Sequence, residues 1–65
     1  MQVKVNGDSR DIPDGTTIRG LVQQFNLVPE KVAIEINRRL VRAEKYDQPL
    51  NAGDEIEIVT FVGGG

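Results

Sequence analysis

The sequence predicts an α+β domain: a mixed sheet of four or five strands with one helix packed on one face. Three observations carry that reading. Apolar and polar residues alternate with period two near both ends of the chain and in its middle. One stretch alone, Ile18 to Phe25, carries apolar residues at helical spacing. Turn-forming residues punctuate the segments between them.

The elements follow in order. Val3 and Val5 share one face of a first strand. Asn6-Gly7 is a hairpin signal, because both residues tolerate positive φ. A second short strand is expected over about Arg10 to Ile12, stopped by Pro13, with Asp14-Gly15 as the next turn. Thr17 is placed to cap a helix. Ile18, Leu21, Val22 and Phe25 then fall at i, i+3, i+4 and i+7, one helical face. Gly20 weakens such a helix by about 1 kcal/mol relative to Ala, and close packing on the sheet is the one reason at hand. Asn26 suits a left-handed helix end, and Pro29 prevents continuation.

The second half is all strand and turn. Val32, Ile34 and Ile36 alternate with Ala33, Glu35 and Asn37 as a half-buried strand. After a turn near Asn37-Arg38-Arg39, Leu40-Val41 forms a very short strand, and Ala43 to Asp47 one helical turn. Leu50 is a core plug and Ala52-Gly53-Asp54 a turn. The last strand is expected over Glu55 to Val62. It turns Ile56, Ile58, Thr60 and Val62 one way, and Glu55, Glu57, Val59 and Phe61 the other.

Composition narrows the function. The 65 residues make one domain, residues 1–62, followed by a glycine tail, 63–65. A chain this short buries roughly 60% of its unfolded surface, which leaves no room for a core and a deep cleft together. With no Cys and no His, thiolate chemistry, imidazole general-base catalysis and the commonest zinc ligands are excluded. No catalytic residue and no metal site is expected. A net charge of −2 disfavours nucleic acid. No apolar run reaches membrane-spanning length, and the N-terminus lacks the pattern of a signal peptide, so a cytoplasmic protein is expected. Arg38, Arg39, Arg42 and Lys45 form a local basic cluster, read as a solvated face or as a docking patch for an acidic partner. Asp8, Asp11 and Asp14 lack the spacing of a calcium loop, and two of them adjoin turn glycines. Glu55 and Glu57 could mimic an acid pair but read as a solvated strand edge.

The ending Phe61-Val62-Gly63-Gly64-Gly65 is the most informative stretch. Glycine is the costliest residue to order, so a mobile tail is expected, and taken alone it reads as a frayed end. A chemical reading stands beside that one. A terminal carboxylate is a poor electrophile until an enzyme activates it. Glycines without side chains let it thread a narrow channel, and three extended residues reach on the order of 10 Å. Val59 and Phe61 would then form an exposed apolar patch just before the tail.

These residues together resemble the ThiS family, the sulfur carrier of thiamin biosynthesis. The resemblance covers essentially the whole chain. It rests on Val3-Lys4-Val5-Asn6-Gly7, Val32-Ala33-Ile34-Glu35-Ile36-Asn37, Leu50 with Gly53-Asp54, and Ile56-Glu57-Ile58-Val59-Thr60-Phe61-Val62-Gly63-Gly64-Gly65. It implies a ubiquitin-like β-grasp fold whose first and last strands pair in parallel at the sheet centre. It implies no bound cofactor and chemistry at Gly65. A ubiquitin-activating-type adenylyltransferase (ThiF-like) would use ATP to adenylate the carboxylate. Cysteine-derived sulfur, delivered through a cysteine desulfurase, would replace AMP. The thiocarboxylate would then donate sulfur to a thiazole synthase (ThiG-like). Gly63, Gly64 and Gly65 would enter the partner's active site, and Val59, Phe61 and Val62 would contact the partner. The carrier would be a cosubstrate and not an enzyme, and a monomer when free. The chain departs from the family where Arg38-Arg39 replaces a usual glycine, Arg42 a usual proline, and Tyr46 an aromatic that is often Trp. A MoaD-like carrier for another pathway, or a plain β-grasp interaction module, would share most of these features.

Overall fold

A computed structural model describes residues 1–61. Val62, Gly63, Gly64 and Gly65, and with them the expected boundary between domain and tail, lie outside the described residues. The strands are β1 (Gln2–Val5), β2 (Asp8–Asp11), β3 (Val32–Ile36), β4 (Arg39–Val41) and β5 (Glu55–Thr60). The helix α1 (Ile18–Gln24) lies between the two hairpins, and single 3₁₀ turns occupy Pro29–Lys31 and Ala43–Lys45. Strand order is β2-β1-β5-β3-β4. The pair β1–β5 is parallel and the others antiparallel, so the sheet is mixed and β5 lies at its centre.

Local chemistry explains both hairpins. Asn6 (φ 50°) and Gly7 (φ 89°) make a two-residue turn of the type that matches strand twist. The turn closes at once, so pairing begins at Asp8 opposite Val5. The second strand therefore runs over Asp8–Asp11 and not Arg10 to Ile12. Ile12 leaves the ladder and is buried, its amide donating to the Met1 carbonyl at 2.8 Å. Asn37 (φ 53°) and Arg38 (φ 70°) make the second tight turn, between β3 and β4. The last strand also differs from expectation, ending at Thr60 and not Val62. Its partner β3 begins at Val32, directly opposite Thr60, so the ladder has no strand residue left to pair with Phe61.

The helix starts as its cap predicts. Thr17 Oγ1 accepts from the Gly20 amide at 3.0 Å. A Cβ at Gly20 would sit 3.2 Å from Thr17 Oγ1, a tight contact with the cap. Among the described residues no sheet atom lies within 4 Å of that Cβ position, so close packing on the sheet is not the reason for the glycine. Ile18, Leu21 and Val22 are buried, and Asn26 ends the helical stretch at φ 59°. The core gathers Val3, Val5, Ile34, Ile56 and Ile58 from the sheet under Leu21 and Val22. Leu50 and Tyr46 complete it from the loops. Among the described residues no helix is long and apolar enough to cross a membrane.

Candidate functional site

Strand β5 leads into the tail, and its alternation sorts its side chains sharply. Ile56 and Ile58 lie under the helix, 2% and 8% exposed. Val59 and Phe61 point the other way and are 57% and 69% exposed. Thr60 continues the helix-facing side beyond the core and is exposed. The register places Val59 opposite Ala33, and Leu40 opposite Glu35, so Leu40 shares the open face at 70% exposure. Tyr46 is in the core, and neither it nor Leu40 covers Val59 or Phe61. The expected exposure of Val59 and Phe61 is met. Val62, Gly63, Gly64 and Gly65 lie outside the described residues.

Two asparagines hold β5 in this register. The Asn6 carboxamide accepts from the Ile58 amide at 2.8 Å and donates to the Ile58 carbonyl at 3.3 Å. It imitates a strand neighbour just where the β1–β5 pairing runs out. At the other end, Asn37 Oδ1 accepts from the Glu55 amide at 3.0 Å. Asn37 Nδ2 donates to Asp54 Oδ1 at 3.1 Å, and Asp54 Oδ2 accepts from the Asn51 amide at 2.8 Å. The Phe61 amide donates to the Lys31 carbonyl at 3.3 Å, which directs the chain as it leaves the sheet. Sequence reading placed Asn6 in a turn, and Asn37 at the end of a strand and the start of a turn. The left-handed φ of Asn6 was legible from Asn-Gly, but the side-chain bonds of both needed the neighbouring strand to be known.

The carboxylates take structural places. Asp11 and Asp14 lie 3.8 and 3.4 Å from the Met1 amine, which also donates to the Ile12 carbonyl at 2.7 Å. Glu55, Glu57 and Glu35 line a shallow depression of about 260 Å³ on the open face with Lys4 and Arg38. Among the described residues no group of His, Cys, Asp or Glu is placed to hold a metal ion.

The sequence profile of the ThiS family matches residues 3–65. The chain belongs to the ThiS family. A solved thiamine biosynthesis protein (ThiS) from Geobacter metallireducens superposes over the full length of both chains, with a TM-score of 0.81 and 26% identity. The chain is also similar to a thiazole synthase of Magnetococcus marinus, 39% identical, and to one of Paramagnetospirillum magneticum, 36% identical. In both cases the match takes in all of this chain and 20% of the relative, so the chain spans about a fifth of the length of those curated relatives. The parallel β1–β5 pair, the central β5 and the single helix are the ubiquitin-like β-grasp arrangement of the ThiS family.

Proposed function

We propose that this protein is a sulfur carrier of thiamin biosynthesis, acting as a cosubstrate rather than a catalyst. The observation that carries the reading is the reach of the family match, which runs through the glycines to Gly65. In the proposed cycle an oxygen of the Gly65 carboxylate attacks the α-phosphorus of ATP on a ThiF-like adenylyltransferase, and pyrophosphate leaves. The outer sulfur of a persulfide charged by a cysteine desulfurase attacks the acyl carbon and AMP leaves, giving an acyl disulfide. A second thiol then attacks the other sulfur, forming a disulfide and releasing the thiocarboxylate. The resulting thiocarboxylate passes its sulfur to a ThiG-like thiazole synthase. The open face of β5, with Val59 and Phe61, is the docking surface, with Val62 adjoining it, and Gly63, Gly64 and Gly65 enter the partner's active site. A thiazole synthase as recipient is supported by relatives of that name, which contain the matching segment within their own chain.

Intact mass with fragmentation of the C-terminal peptide tests the proposal. The carrier is incubated with ATP, cysteine, the desulfurase and its cognate adenylyltransferase. One sulfur in place of one oxygen, localised to Gly65, is the expected product. An unmodified carboxylate after that incubation overturns the carrier reading.

A further inference from the structure

Strand β4 is a sheet edge, and a groove of about 590 Å³ runs beside it on the helix side. Ile18, Ile36, Val41 and Pro49 line it beside Asn37, Gln48 and Asn51, and Ile36 and Val41 are only half-buried. Its rim is cationic. Arg39, Arg42 and Lys45 all line it, against one carboxylate, Asp54. That carboxylate is already bonded to Asn37 and the Asn51 amide. Glu44 is next to Lys45 but does not line the groove. Among the described residues none of the three cations makes an ion pair, whereas Arg19 pairs with both Asp47 and Glu30. The ladder adds backbone groups. The two-residue turn makes Ile36–Arg39 a hydrogen-bonded pair, so alternation turns the Leu40 N–H and C=O outward from β3.

We propose that this groove docks an extended acidic segment of a partner protein. Its carboxylates point to the helix side and meet Arg39, Arg42 and Lys45, its apolar residues lie on the other side of the strand against exposed Leu40, and its backbone pairs with the β4 edge at Leu40. Free cations on the helix side of the edge strand and exposed Leu40 on its other side match a segment of alternating acidic and apolar residues, and edge pairing needs that segment extended. Nucleic acid is the poorer match. The chain carries net −2, and the Asp54 carboxylate lines the groove where a phosphate backbone would lie. The surface is separate from the tail chemistry and does not depend on it.

Amide chemical-shift titration of the full-length ¹⁵N-labelled protein tests this. The probe is a capped peptide of sequence Glu-Val-Glu-Leu-Glu-Val-Glu-Asp. Shifts are expected at Leu40 to Lys45 and Gln48 to Asn51. Affinity is expected to fall at least about tenfold when salt is raised from about 50 to about 300 mM, and as much in Arg39→Ala/Arg42→Ala/Lys45→Ala. These side chains are exposed, so the variant's dispersed spectrum will show that it is folded, and Arg42→Glu gives an independent check. Val59→Asp is expected to bind the peptide normally. Shifts confined to the open face, or binding unchanged in the triple variant, overturn the proposal. So does tighter binding of an RNA oligonucleotide at the same amides. Self-association lost in the triple variant would do so too, by making a second copy the occupant.

Discussion

Arg38 holds φ at +70°, where an L side chain crowds the following carbonyl. Glycine carries no such penalty, although it adds entropy to the unfolded chain. The first effect is about 1–2 kcal/mol and the second about 0.5–1 kcal/mol, so Arg38→Gly is expected to stabilise by up to about 1 kcal/mol. A urea midpoint moving upward at unchanged slope is the check. Arg38 does not line the β4 groove, so that surface is expected to be unaffected. Tyr46 makes a second residue-scale prediction. Burial pushes its phenol up from the ordinary value of 10.0. The folded state therefore holds this proton more tightly than the unfolded chain. That stability is fully present below about pH 10 and is lost as pH rises through the folded value. Tyr46→Phe is expected to flatten the alkaline fall in stability, read by comparing the two proteins from neutral pH upward.

Helix α1 has only seven residues and is too short to be stable alone, so its cap and its buried face decide whether it forms. Thr17→Ala is expected to cost about 1 kcal/mol. Gly20→Ala should add about 1 kcal/mol of helix propensity, but its Cβ would press on Thr17 Oγ1. The gain from Gly20→Ala is therefore expected to be larger in the Thr17→Ala background than in the parent. Equal gains in the two backgrounds would show that the cap does not constrain position 20. Strand β5 behaves differently. It borrows side chains from the Asn6 and Asn37 turns, so both hairpins support the central strand. The turns were legible from Asn-Gly and from the break after Ile36. That each turn residue also reaches β5 was not, because those partners are 52 and 18 residues away in sequence.

Across the whole molecule, the central strand separates a buried face from an exposed apolar one. Ile58→Asp would bury an unpaired charge and is expected to unfold the domain, seen as loss of cooperative thermal melting. Val59→Asp and Phe61→Asp place the same charge on the open face and are expected to leave the melt intact. They should instead weaken binding to the cognate adenylyltransferase or thiazole synthase, measured by calorimetry. A folded Ile58→Asp protein, or an unfolded Val59→Asp protein, would contradict the register of β5.

The sequence by itself determined the element order, the helix face, the turns at Asn6-Gly7 and Asn26, and the opposed faces of β5. These follow from periodicity and from φ preferences, which are properties of neighbouring residues. Family membership was legible too, because its motifs are contiguous. Only the tertiary structure decided where β2 and β5 stop, since a strand ends where its partner does. It also decided what a side chain at position 20 would meet, what Asn6 and Asn37 bond to, and that the β4 cations lie around half-buried Ile36 and Val41. Each of these depends on residues distant in the chain being brought within a few ångströms, and periodicity carries no information about such pairs.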